Sequence, residues 1–207
     1  MDRLWIKVCG LRTRAAIEAA AGAGADAVGF VFHADSPRNL SVAEASDLQG
    51  AVPAGIERVA VFLRPTAAQV LEVIRVIRPD CIQADVEAMA GLGLPAGQRV
   101  LPVLRNENVL PDPPPAQVLF EGARSGTGER ADWSQATRVA RRTQVVLAGG
   151  LDAGNVADAV RMVRPFGVDV SSGVESIRGT KDPAMIREFV RAAREAGRAL
   201  AAEEYRR

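Results

Sequence analysis

Two cysteines in 207 residues leave little material for a disulfide framework. Cys9 closes one predicted strand and Cys81 opens another, so parallel strands would hold them at opposite ends of a sheet, which argues against a bond between them. Histidine is scarcer still. His33 is the only one, and a lone histidine is more often structural than functional, so it receives no role. No apolar run approaches the roughly 20 residues that a membrane helix requires, and MDRLWIKVCG reads as a charged strand start rather than a signal sequence. Charge of one sign is lacking too: 26 Lys and Arg oppose 25 Asp and Glu, for a net charge of +1. That balance supplies no field to attract nucleic acid or a membrane surface. The expectation is a cytoplasmic protein without a polyanionic partner.

What is present is ordinary for one soluble domain: 48% hydrophobic and 25% charged residues, with length enough for a large core. Residues alternate from Leu4 to Cys9, with Trp5, Lys7 and Cys9 on one side, which predicts a first strand. Thr13 can cap a helix carrying Ile17, Ala20 and Ala21, ended by Gly22–Gly24 before a second strand, Ala27–Phe32. Ser41 with Glu44 and Thr66 with Gln69 fit the capping box, and Val59–Leu63 between those helices is strand three. Cys81–Gln83 and Val100–Leu104 follow as strands four and five, with Asp85 placed to cap a brief helix through Leu92. Four prolines between Asn106 and Pro115 rule out a normal helix after strand five. Val118–Phe120 is strand six, and Asp132 caps a helix from Trp133 to about Arg141. Val145–Leu147 and Val168–Val170 are strands seven and eight, joined by a helix with Val156, Val160 and Val163 in register. Asp182-Pro183 opens the last helix.

Eight strand-helix units in this length predict an α/β fold, a single-domain (β/α)8 TIM barrel spanning residues 1–207 with an irregular fifth helix position. A doubly wound sheet is the alternative. In a barrel the chemistry sits at the carboxyl ends of the strands, which singles out Cys9, His33, Gln83, Arg105, Glu121 and Asp169. Gly149-Gly150 follows strand seven and Ser171-Ser172-Gly173 follows strand eight. Adjacent turns of that kind present backbone N–H groups to a phosphate, so Gly149, Gly150, Ser172 and Gly173 are candidate phosphate ligands.

Five motifs carry a resemblance: Lys7-Val8-Cys9-Gly10-Leu11; Gly29–Phe32 with Ser36-Pro37-Arg38; Ser125-Gly126-Thr127-Gly128 with Asp132-Trp133; Leu147–Leu151; and Val168–Glu175. Together they resemble the phosphoribosylanthranilate isomerases of tryptophan biosynthesis, in order from Lys7 to Pro183. The resemblance implies an Amadori rearrangement of a small phosphorylated substrate without metal or other cofactor, in a monomer or homodimer. It implies that Cys9 is the general base, with Lys7 favouring its thiolate if the ammonium points toward it. Arg38 would engage the anthranilate carboxylate, and Asp169 would contact substrate. Glu121 stands where the family has its aspartate acid. An extra methylene moves the carboxyl by about an ångström, a displacement that can cost roughly 100-fold in rate.

At the end of strand four, Gln83-Ala84-Asp85-Val86 replaces the usual Gln-Leu-His-Gly, and Asp85 is expected to turn away and cap the next helix. Two other functions compete. A related or dual-substrate ribosyl-phosphate isomerase would show two-fold repetition with paired aspartates, whereas Cys9 and a single glycine phosphate motif stand here. A non-catalytic phosphate-sugar-binding barrel is motivated by Glu121 and Asp85.

Overall fold

A computed structural model describes residues 3–105, 109–123 and 128–206. Eight parallel strands pair in sequence order: β1 (Trp5–Cys9), β2 (Ala27–Val31), β3 (Glu57–Val61), β4 (Cys81–Asp85), β5 (Arg99–Arg105), β6 (Gln117–Glu121), β7 (Gln144–Leu147) and β8 (Gly167–Val170). β8 pairs back onto β1, with Lys7 opposite Asp169, and the sheet closes into a barrel. Closure rules out the doubly wound alternative.

Helices α1 (Arg14–Ala23), α2 (Val42–Gln49), α3 (Ala67–Ile77), α4 (Val86–Met89), α5 (Trp133–Ala140), α6 (Val156–Val163) and α7 (Pro183–Tyr205) surround it. Their start signals act as the sequence indicates. Thr13 accepts a hydrogen bond from Ala16 N, Asp132 from Gln135 N, and Asp182 from Ala184 N. Both capping boxes form. Between β5 and β6 no helix occurs among the described residues, as the four prolines require.

The period-two alternation of the strands creates two cores. Ile6, Val8, Val28, Phe30, Ile82, Phe120 and Val168 face outward against helix residues such as Ile17, Val73, Val160 and Phe189. A smaller apolar plug of Ala27, Val59, Cys81, Leu101, Val103, Leu119 and Val146 fills the barrel. Above it the inward positions turn polar, and that change of chemistry places the site.

Several boundaries differ from expectation: β2 stops at Val31, β4 runs on past Gln83 to Asp85, and β5 spans Arg99–Arg105. β3 ends at Val61, because the apolar run continues beyond the ladder into the loop and Leu63 lines a cavity there. α4 is one turn long, because Gly91 and Gly93, the latter at φ +58, follow at once. One element was not foreseen: after a short 3-10 turn at Ser172–Val174, β9 (Glu175–Ile177) and β10 (Thr180–Lys181) form an antiparallel hairpin ahead of α7.

α7 also locks the end of the barrel opposite the site. Arg194 donates to Asp26 Oδ2 at 2.5 Å, to Gly24 O at 2.6 Å and to Leu4 O, while Asp26 accepts from Ile6 N at 2.8 Å. One guanidinium thus ties α7 to β1 and to the chain leading into β2. Arg194→Met should lower unfolding stability by about 2 kcal/mol, the worth of hydrogen bonds to a charged group. A urea midpoint measured beside the parent checks it.

Candidate active site

At the carboxyl end of the barrel, Cys9, Gln83, Arg105, Glu121 and Asp169 all turn inward and line one cavity of about 270 Å³, together with Arg38 from the loop after β2. A narrow annex of about 40 Å³ adjoins it, sharing Glu121, Asp169 and Ser171, and is lined by Gly128, Gly149, Gly150 and Ser172. Every candidate except Gly173 therefore lines one of two connected spaces.

Lys7 is 0% exposed, and its Nζ donates to Asp169 Oδ1 at 2.9 Å across the β1–β8 seam. Burial alone would lower its pKa, but the charge of Asp169 and the nearby Cys9 overcome that and hold the ammonium protonated. Burial raises the Asp169 carboxyl, against the pull of Lys7 and Lys181. The Cys9 thiol is also pushed up from its ordinary 9.0, first by burial, with Lys7 pulling the other way. Lys7 does favour the thiolate, then, but desolvation outweighs it. Gly29, beside Cys9 on β2, is what makes this packing feasible: a Cβ there would meet Cys9 Sγ at 2.8 Å and Lys7 Cε at 3.2 Å.

Arg38 is 4% exposed and is gripped by Glu175 in a two-point fork, Nε to Oε1 at 2.7 Å and Nη2 to Oε2 at 2.8 Å. Its aliphatic stem passes so close to Gly10, at φ +76, that a Cβ there would lie 2.6 Å from Arg38 Cδ. Glu175 also accepts from Lys181 Nζ at 2.7 Å and from Gly179 N at 2.9 Å. Lys181 in turn donates to Ser171 O at 2.8 Å and to its hydroxyl at 3.2 Å, and that hydroxyl donates to Cys9 O. The hairpin therefore joins the Arg38 wall to the strand end that carries Cys9. Burial works to raise the Glu175 carboxyl, but Arg38, Lys181 and the Gly179 N–H pull it down to about 2.

Asp85 does not cap α4. Its carboxylate stays inside the barrel, where Arg105 Nη1 donates to it at 2.5 Å, and Arg105 Nη2 lies 3.1 Å from Glu121. The cation at the end of β5 reverses the expected orientation, because an inward carboxylate gains a charged partner that a helix cap could not match.

In the annex, Gly149 at φ +86 and Gly150 at φ +64 take a left-handed path with no room for side chains: a Cβ on Gly150 would sit 2.8 Å from Arg130 Cα. Among the described residues, the N–H groups of Gly149, Gly150, Ser172 and Gly173 donate to no backbone carbonyl of a turn or loop. Gly173 lies just outside the annex, where its bare Cα abuts the carbonyl of Leu151. Ser125, Gly126 and Thr127 of the glycine loop lie outside the described residues.

Sequence reasoning gave no role to Glu175, Lys181, Arg105 or Gln83. Glu175 closes a motif already noted, and an acid and a base six residues apart around Gly179 are the trace that a hairpin leaves.

The family model for N-(5'-phosphoribosyl)anthranilate (PRA) isomerase matches residues 6–192. The chain belongs to this family. A Rhodopseudomonas palustris (strain BisA53) N-(5'-phosphoribosyl)anthranilate isomerase is 38% identical over 208 residues, covering 91% of this chain and 95% of the relative. One from Streptococcus pneumoniae (strain Taiwan19F-14) is 36% identical, covering 89% and 93%. Among solved structures, the phosphoribosyl anthranilate isomerase of Thermus thermophilus has a TM-score of 0.82 at 26% identity, covering 91% of this chain and 98% of that one. Another isomerase, solved with reduced 1-(o-carboxyphenylamino)-1-deoxyribulose 5-phosphate, has a TM-score of 0.78 at 28% identity, covering 93% and 99%. The family indicated by the motifs is thus established, and the protein is an isomerase of the tryptophan pathway.

Because the Glu175 pKa lies below its ordinary 4.5, its contribution to stability is complete above that value and is lost as pH falls toward 2. Glu175→Gln should therefore flatten the loss of stability between pH 4.5 and 2, as read from thermal unfolding across that window.

Proposed function

We propose that this enzyme converts N-(5-phosphoribosyl)anthranilate into 1-(2-carboxyphenylamino)-1-deoxyribulose 5-phosphate, with Cys9 as general base and Glu121 as general acid. The observation that carries this assignment is the shared cavity: a thiol and a carboxyl line one space whose annex is a glycine cradle. The backbone of Gly149, Gly150, Ser172 and Gly173 receives the phosphate, the Arg38 guanidinium meets the anthranilate carboxylate, and Asp169 holds the sugar.

The chemistry then proceeds by proton transfers alone. Neutral Glu121 gives its proton to the ribose ring oxygen, the C1–O bond breaks, and the nitrogen lone pair forms the C1=N bond of a protonated Schiff base. The Cys9 thiolate removes the C2 proton; that electron pair forms C1=C2 while the C=N pair returns to nitrogen, giving the enolamine. Protonation at C1 and loss of the C2 hydroxyl proton leave the ketone. No atom is gained or lost.

Two charges in the site bear on these roles. Arg105 Nη2 lies 3.1 Å from the Glu121 carboxyl, which lines both the cavity and the annex. Cys9 must ionise from a raised pKa, and the thiolate it yields is correspondingly basic. The reading is of a cytoplasmic enzyme acting on a small phosphorylated substrate as a monomer or homodimer.

Loss of anthranilate-type fluorescence on mixing enzyme with substrate generated in place is the assay. Cys9→Ala and Glu121→Gln should each reduce kcat by about 10²–10⁴-fold with circular dichroism unchanged. Full turnover in either variant rejects that residue's role. In the parent, kcat/KM should keep rising with pH beyond neutrality, because burial pushes the Cys9 thiol above its ordinary pKa. A plateau reached below pH 7 would rule out Cys9 as the group seen.

A further inference from the structure

Lys181 stands behind the strand end that carries Ser171 and Ser172, and the reaction above gives it no task. Its side chain is 3% exposed, and its Nζ donates to Glu175 Oε1 at 2.7 Å, to Ser171 O at 2.8 Å and to Ser171 Oγ at 3.2 Å. An ammonium has three donors and no acceptor, so these bonds fill its capacity and fix its direction. The hairpin supplies the placement. Lys181 pairs with Glu175 across β9 and β10, and the register shifts between Thr180 and Lys181, an irregularity of the kind that re-aims a side chain.

The bond to Ser171 O matters most, because that carbonyl belongs to the peptide that carries the Ser172 N–H. Ser171 stands at φ −131 and ψ −81, neither helical nor extended, a conformation that a regular element does not impose. Val174 N also donates to this carbonyl, at 3.4 Å, and Lys181 makes the shorter bond. The Ser171–Ser172 peptide is trans, so its C=O and N–H point in opposite directions. With the carbonyl drawn back to Lys181, the Ser172 N–H is turned the other way, toward the annex that Ser171 and Ser172 line and Lys181 does not. Among the described residues that N–H donates to no backbone carbonyl of a turn or loop, and Ser172 is half-buried rather than sealed.

We infer that Lys181 is a positioning residue of the phosphate site: by holding the Ser171 carbonyl it turns the Ser172 N–H into the annex, where it donates to a phosphate oxygen. This rests on the phosphate placement proposed above. A donor oriented during folding needs no ordering when the anion arrives, and the affinity keeps that advantage. The effect is local. Lys181 also bonds Glu175, but the Arg38 fork and the Gly179 N–H hold Glu175 without it. The Gly149–Gly150 turn belongs to the end of β7, which Lys181 does not touch, so its N–H groups serve as an internal reference.

The test is a titration with inorganic phosphate, followed by NMR at resolved backbone amides, of the parent, Lys181→Met and Lys181→Gln. In the parent, phosphate should move the Ser172, Gly149 and Gly150 amide protons downfield. In Lys181→Met it should bind about tenfold more weakly, the worth of one hydrogen bond to a charged group. At saturation the Gly149 and Gly150 shifts should persist there while the Ser172 shift is lost. Lys181→Gln, whose neutral amide keeps a donor on the same side, should recover most of the affinity and of the Ser172 shift. A Ser172 shift as large in Lys181→Met as in the parent overturns the inference. So does equal weakness of the two variants, which would reveal a plain effect of charge, and so does joint loss of all three shifts, which would reveal a merely structural lysine. Lys181→Leu repeats the comparison should the methionine variant fail to fold. If none of the three amides of the parent responds to phosphate, the placement is wrong and the inference falls with it; if Gly149 and Gly150 respond and Ser172 does not, the placement stands and the inference alone is rejected.

Discussion

The buried ion pair between Lys7 and Asp169 is the contact on which the rest of the arrangement depends. It spans the seam where the last strand meets the first, so the same two side chains close the barrel and furnish the floor of the site. Neither charge could stay ionised alone at that depth, since an unpaired buried ion costs several kcal/mol. Held together, they keep a cation beside Cys9 and an anion facing the cavity, and Gly29 leaves them the volume to do so. The barrel is polar where its plug of aliphatic side chains ends, and this pair marks the boundary.

Around that floor the candidate binding groups are held in place by the protein's own contacts. Arg38 has no rotamer left to search, because Glu175 holds one edge of its guanidinium and Gly10 lets its stem lie flat. Glu175 is itself held by Lys181 and Gly179, on a hairpin of five strand residues. Side-chain ordering of this kind is completed during folding, so that binding does not have to supply it. The glycine cradle follows the same logic in backbone form: Gly149 and Gly150 take left-handed turns where a side chain would not fit.

Most of the fold could be read from the sequence because its signals are local. Thr13, Ser41, Thr66 and Asp182 cap the helices they were expected to cap, and the alternation of Trp5, Lys7 and Cys9 identified the inner face of β1. The family and the placement of Cys9, Glu121, Arg38 and Asp169 around one cavity were legible from motifs. What escaped depends on partners distant in the chain. Asp85 reads locally as a cap, and only Arg105, twenty residues on, turns it inward. Glu175 and Arg38 are 137 residues apart, and no local pattern announces their fork. The sign of the shift at Cys9 was equally out of reach, since Lys7 was visible in the sequence and the depth of burial was not.

The Asp85–Arg105 pair has a consequence for the charge pattern at the mouth of the barrel. Arg105 also bridges to Glu121, so losing the guanidinium would leave two carboxylates without it, whereas losing Asp85 would leave a cation still held by Glu121. The guanidinium is thus the member of the set that cannot be spared: one cation at the mouth of the barrel keeps two strand-end acids compatible with each other.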